Sequence, residues 1–362
     1  MPCDIQDGVS STSGLRHVFV GGYTAEAGGT ATGVTSLLNV GSGRQVQLDP
    51  VAVAELRSPT WLVRHPNLPV LLAAGETNPG TLSSLRWNGD GSLTLLSTVE
   101  VAGDGACHFA ITKDGRHAIV ASYVSGIVSV VAIAANGTLA KLGDHLGLVG
   151  SGPVTDRQEG PHAHQIVMVG DEILCCDLGG DQIHRLRLTS EGVLYPAHDP
   201  IRLPAGSGPR HLVVAQDHLV VALELSGQLW LGKRHGNDWV QADVVPTSTR
   251  DGHVQPSGID TDGSRIYVAS RGVDTVAAFD LDPIESTLTP VAEFDCGGVW
   301  PRAITLDGGL LWVSNESSHT VAVFEVSPLP PDAPATVLDL PSPTGVVLVH
   351  EDSAHQGERM DQ

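Results

Sequence analysis

Six stretches of the chain share one plan: a Gly/Pro approach, a short apolar run, a polar turn, a second apolar run and a closing polar residue. GPRHLVVAQDHLVVALEL (208–225) shows it most clearly. GPHAHQIVMVGDEILCCDL (160–178), QPSGIDTDGSRIYVASRG (255–272) and WPRAITLDGGLLWVSNES (300–317) follow it. GACHFAITKDGRHAIVASY (105–123) and SPTWLVRHPNLPVLLAAGE (58–76) have a slightly longer turn. From the opening residue of the first run to the closing residue of the second, the spacing is 13 for His164–Asp177, His211–Glu224, Gly258–Arg271 and Ala303–Glu316. It is 15 for Trp61–Glu76 and His108–Tyr123. The openings recur at separations of 47, 56, 47, 47 and 45 residues. A repeat of this length means an array of supersecondary units, each needing its neighbours to bury its apolar faces.

The runs are about 5–6 residues long and rich in Val, Ile and Leu, the mark of short strands. A third run and often a fourth follow each pair, as in IVSVVAIAA (127–135), QIHRLRL (182–188), TVAAFDL (275–281) and TVAVFEV (320–326). No long helical periodicity interrupts them. Four antiparallel strands recurring every ~45 residues predict an all-β chain built as a β-propeller. Six complete openings leave one blade split. HVFVGGYT (17–24) reads as a second strand without its first, and SPTGVVLVH (342–350) supplies the missing strand from the far end. Joining them makes a seventh blade and removes the sheet edges that would otherwise pair with other chains. We therefore expect one seven-bladed domain over 14–350, a disordered N-terminus over 1–13 and a polar tail over 351–362.

Charge narrows the partners. The 20 Lys+Arg and 41 Asp+Glu residues give a net charge of −21, and no basic cluster offsets it. Nucleic acid and anionic membrane are not expected partners. A small anion remains compatible, provided a few Arg residues converge on it. No apolar stretch approaches the ~18 residues of a membrane span. The N-terminus has neither the basic start nor the apolar segment of a secretory signal. The five cysteines, Cys3, Cys107, Cys175, Cys176 and Cys296, read as free thiols. A cytoplasmic location is the expectation these features give.

Blade geometry then sorts the polar residues. The first strand of a blade lines the channel and the second returns beside it, so the start of one and the end of the other share a rim. The rim inventory is Trp61, Glu76, Cys107, His108, Tyr123, His162, His164, Asp177, Arg210, His211, Glu224, Ser257, Arg271, Arg302 and Glu316. The opposite turns, such as TKDGR (112–116) and TDGS (261–264), carry ordinary turn residues. Burying several Arg beside His and Glu is costly if it serves stability alone. This asymmetry points to a ligand site on one rim.

The pieces GPRH with LEL (208–211, 223–225), PHAHQ with CDLGGDQ (161–165, 176–182) and the opening VFVGGYT resemble the lactonase family of seven-bladed propellers over almost the whole chain. That family includes bacterial propeller-type 6-phosphogluconolactonases and the fungal 3-carboxy-cis,cis-muconate lactonizing enzyme. The resemblance implies a catalytic set of His164, Arg210, Glu224 and Arg271, with Arg302 matching a further family arginine and no cofactor. His108, His162, His211, Tyr123, Glu76, Asp177 and Glu316 are expected to help bind substrate. The chain departs from the family in reading LEL where relatives read NEL around Glu224.

On this reading His164 activates water, Glu224 orients it or exchanges the proton, and the arginines hold an anionic group or the developing oxyanion. The expected activity is hydrolysis of a sugar-acid lactone of the 6-phosphogluconolactone kind. Two alternatives use the same rim: cyclisation of a muconate, and a non-catalytic propeller that binds a ligand or protein. A metal is not expected, because the arginines would repel a cation drawn to His162 and His164. No phosphate-binding Gly loop, Ser/His/Asp elbow or nicotinamide fingerprint is present.

Overall fold

The apolar runs form strands because they meet two kinds of surroundings. In the computed structural model, which describes residues 14–41 and 46–350, they make seven four-stranded antiparallel sheets in a ring. The second strands, such as Val70–Gly75, His218–Leu223 and Leu310–Asn315, are buried at every residue, since a neighbouring blade covers each face. Their sequences are correspondingly continuous apolar runs. The outermost strands, such as Leu139–Gly147, expose alternate residues and read as alternating polar and apolar. The expected N-terminal stretch 1–13 and polar tail 351–362 lie outside the described residues. Among the described residues, no helix is long and apolar enough to cross a membrane.

Closure takes the expected form. Pro343–His350 pairs antiparallel with Leu15–Gly22, which continues through Gly33–Asn39 to Leu48–Glu55. Seven hydrophobic clusters hold the ring, each bridging two adjacent blades. The cluster between seventh and first blades joins Leu310, Trp312 and Val323 to Leu15, Val18 and Val346.

One irregularity recurs in all seven blades. Where each inner strand begins, its pairing with the second strand shifts, leaving Thr60, Cys107, His164 with Gln165, Arg210, Ser257 with Gly258, Arg302 and Thr344 outside the regular ladder. A β-bulge of this kind re-aims a side chain. The approach residues carry the accompanying backbone change. Gly105 and Gly208 have φ of 70° and 62°, a region glycine enters freely. Ser58, Trp300 and Ser342, with φ of 38°, 64° and 38°, reach the same region at a cost of about 1–3 kcal/mol each.

Trp312 is fully buried where the two ends of the chain meet the seventh blade. Trp312→Ala should destabilise the protein by about 3–5 kcal/mol, read from urea unfolding of wild type and variant. A loss below about 1 kcal/mol would show that this interface does not hold the ring.

Candidate functional site

The bulged residues and the residues ending the second strands meet at one end of the channel. A cavity of about 160 Å³ there is lined by Glu76, Cys107, Tyr123, Arg157, His164, Arg210, Glu224, Arg271 and Arg302. Cys107, His164, Arg210 and Arg302 come from bulges. Glu76, Tyr123 and Glu224 follow second strands at equivalent positions, their amides donating to the carbonyls of Ser58, Gly105 and Gly208.

Glu224 is the electrostatic centre. Arg157 Nη2 donates to its Oε1 at 2.6 Å and Arg271 Nη2 to its Oε2 at 2.5 Å. Arg210 Nε stands 3.1 Å from the same Oε2, at an angle too poor for a hydrogen bond. Burial opposes the Glu224 charge, but Arg271, Arg210 and Arg157 outweigh it and hold the carboxyl down at about 2. A second node lies across the cavity. Arg302 and the Tyr23 hydroxyl both donate to Glu76 Oε2, at 3.0 and 2.9 Å, and the Arg302 guanidinium rests 4.8 Å over the Tyr23 ring. Four guanidiniums thus face two carboxylates across one cavity. Arg210 Nε and Nη1 and Arg271 Nε are buried with no hydrogen-bond partner among the described residues. Burial, together with Arg271 and Arg302, pushes the Arg210 guanidinium down. Buried donors left without a hydrogen bond cost stability.

His164 sits beneath these charges with Nδ1 unpaired. Burial first, then Arg210 and Arg302, push its imidazole well below the usual range, so it is neutral at neutral pH. Its ring meets His211 edge-on at 5.0 Å and Tyr123 edge-on at 5.6 Å.

The remaining expected residues lie elsewhere. His108 and His211 pack below the cavity with Trp61, the Trp61 and His108 rings 4.2 Å apart, and form an aromatic floor instead of contacting the opening. Burial and Arg210 push His108 down to about 3. His162 stacks on Tyr123 at 4.6 Å, with Nδ1 2.9 Å from the Tyr123 carbonyl, so it props a lining residue without lining the cavity. Glu316 stands half-buried outside the cavity. Asp177 is one residue out of register. Leu178, not Asp177, makes the amide contact equivalent to those of Glu76 and Glu224, so the Asp177 side chain turns away. There it accepts from the His162 and Gly180 amides at 2.8 and 3.0 Å and pins the turn. Glu224 makes no hydrogen bond to His164 among the described residues; its oxygens meet Arg157, Arg271 and Arg210 instead.

Two residues escaped the repeat. Arg157 comes from the loop between third and fourth blades, where spacing assigns no position. Tyr23 ends the second strand of the split blade, and VFVGGYT carried the signal: its amide donates to Ser342, just as Glu76 donates to Ser58. Asp181, of CDLGGDQ, serves the site indirectly. Its carboxylate accepts from the Gly206 and Gly208 amides at 2.6 and 2.8 Å and fixes the turn that launches Arg210. Among the described residues no group of three or more His, Cys, Asp or Glu is placed to hold a metal ion.

A family model described as lactonase, 7-bladed beta-propeller, matches residues 17–348. The chain belongs to this family. It is 26% identical over 294 residues to the 6-phosphogluconolactonase of Bacillus subtilis, covering 78% of this chain and 82% of that one. The 6-phosphogluconolactonase of Formosa agariphila is 26% identical over 292 residues, 75% of this chain and 80% of its own. Among solved structures, the periplasmic gluconolactonase PpgL of Pseudomonas aeruginosa superposes with a TM-score of 0.84 at 26% identity, covering 92% of this chain and 99% of that one.

Glu224→Gln should remove the charge that holds three guanidiniums, costing about 3 kcal/mol near neutral pH. The sign follows from the lowered carboxyl. Its stabilisation is full above the unfolded value of 4.5 and is lost as pH falls toward about 2. The gap between wild-type and variant unfolding free energies should therefore shrink between pH 5 and pH 2, by roughly 1.4 kcal/mol per pH unit at most. A gap independent of pH would contradict the assignment.

Proposed function

We propose that this lactonase hydrolase opens an anionic sugar-acid lactone of the 6-phosphogluconolactone kind, with His164 as general base and the rim arginines as anion holders. One observation carries the reading: the unpaired, buried donors of Arg210 and Arg271 beside a neutral imidazole. The names borne by the Bacillus subtilis and Formosa agariphila relatives support the phosphorylated substrate.

The chemistry needs few groups. Neutral His164 takes a proton from water as the water oxygen attacks the lactone carbonyl carbon. Charge collects on the carbonyl oxygen, within reach of guanidinium donors that are already in place and need not reorganise. The tetrahedral intermediate then breaks its ring C–O bond, and the departing oxygen takes the proton from the His164 imidazolium. The product acid ionises and releases one proton to solvent. Nearby arginines disfavour the imidazolium, so it returns its proton readily. A strongly lowered imidazole is a weaker base than an ordinary one. An activated ester such as a lactone tolerates that weakness better than an amide would.

His164→Ala should lower kcat by roughly 10²–10⁴-fold while the fold survives. Arg210→Ala should lower kcat/KM by roughly 10²–10³-fold. Full turnover in the first variant would remove His164 from the mechanism. The wild-type kcat/KM should stay level as pH falls through 6.5, since the imidazole remains neutral there. An acid limb centred at 6.5 would contradict the lowered imidazole given to His164. A panel of gluconolactone, its 6-phosphate and a carboxymuconate tests the substrate class, with the phosphorylated lactone expected to turn over fastest.

A further inference from the structure

We infer that Arg157 is the residue that distinguishes a phosphorylated lactone from its neutral counterpart, by moving from Glu224 onto the substrate's phosphate. The inference rests on the lactone hydrolysis proposed above and goes beyond it to a residue outside the repeat. Four arginines line the cavity, and they differ in freedom. The Arg210 side chain is 2% exposed, Arg271 10% and Arg302 12%, whereas Arg157 is 33% exposed at the mouth. Arg157 is therefore the guanidinium that an incoming charge meets first.

Its pairing is also the easiest to exchange. Glu224 keeps Arg271 and Arg210 if Arg157 leaves, so no carboxylate is stranded. The Arg157 end of the pair is one-third exposed, so leaving Glu224 costs it less than it would cost the buried Arg210 or Arg271, and a bidentate Arg–phosphate contact is among the stronger charge-assisted interactions. The second contact of Arg157, to the Tyr123 hydroxyl at 3.4 Å, is long and weak.

The backbone beneath this mobile side chain is fixed. Gln158, next in sequence, is fully buried. Its Nε2 donates to the Leu178 carbonyl at 2.9 Å and to Asp181 Oδ1 at 2.7 Å, while its Oε1 accepts from the Val154 amide at 3.1 Å. Asp181 is also the residue that fixes the turn before Arg210. The loop that presents Arg157 and the strand that presents Arg210 are thus clamped by one carboxylate. A side chain free to swing on a rigid base can select a ligand charge without ordering a loop, which keeps the entropic cost of binding low.

Steady-state kinetics of Arg157→Met and Arg157→Lys on 6-phosphogluconolactone and on gluconolactone test the inference. The measured quantity is the ratio of the two kcat/KM values. In Arg157→Met this preference should fall roughly 10–100-fold, mostly through KM of the phosphorylated substrate. Arg157→Lys should restore part of it, because a point charge replaces the planar fork. An unchanged ratio, or an equal loss on both substrates, overturns the role given to Arg157 while leaving lactone hydrolysis standing. A wild-type enzyme with no preference for the phosphorylated lactone overturns the inference together with the substrate class on which it rests.

Discussion

When Pro343–His350 lies antiparallel to Leu15–Gly22, backbone hydrogen bonds join residues more than three hundred positions apart in sequence. Closing so long a loop is cheaper than it looks. Loop-closure entropy grows as the logarithm of length, so spanning the whole chain costs only about 2 kcal/mol more than spanning one repeat. The cluster around Trp312, Val18 and Val346 offsets that cost by removing apolar surface from water. Once the ring is closed, residues from the second to the seventh blades face one another across a channel a few side chains wide. No blade contains the site. Glu224 of the fifth blade meets Arg271 of the sixth and an arginine from the loop preceding the fourth.

An acidic chain with an arginine-lined cavity is a paradox only if charge is averaged. The net charge of −21 is spread over a surface where interactions beyond roughly 8 Å are screened by salt. Glu224 and Arg210 are buried, and their interactions escape most of that screening. The local balance of four guanidiniums against two carboxylates therefore governs the cavity, whatever the outer wall carries. The two carboxylates hold buried arginines that would otherwise be too costly to keep there. They do so without satisfying every donor: Arg210 Nη1 and Arg271 Nε have no hydrogen-bond partner among the described residues.

Blade number, strand order and the split blade were legible because they rest on apolar periodicity and on spacing, both properties of the chain alone. Most cavity residues were legible for the same reason: fixed spacing puts Glu76, Tyr123, Glu224 and Arg271 at equivalent strand ends. Asp177 shows where spacing fails. His164 holds the place that Arg210 holds in the fifth blade, and Gln165 that of His211, so counting from His164 selects a residue one place too early. With side chains alternating along a strand, one place reverses the direction of the side chain. Arg157 was illegible for a different reason. Loops between blades have no period, and only the folded ring shows that residues 148–162 return across the channel mouth. His108 and His211 were located at the correct end, but their depth depends on packing against Trp61, which spacing does not report.

The bulge explains how a structural repeat became a site. In an uninterrupted ladder Arg210 and His211 would point to opposite faces, and a guanidinium would enter the apolar cluster between blades. The extra residue turns Arg210 to the rim while leaving His211 in the channel, and the same step raises Arg302 above Ala303 and Cys107 above His108. Thr60, Ser257 and Thr344 occupy the same position with small side chains, so the bulge belongs to the fold and its chemistry to the occupant. Such an arrangement separates stability from function. The ladder and clusters keep the ring, the strained approach at Trp300 aims Arg302, and the bulged Arg210 and Arg302 supply two of the cavity's four guanidiniums. His164, the base proposed above, is the lone imidazole among those occupants, and its arginine neighbours can only hold charge.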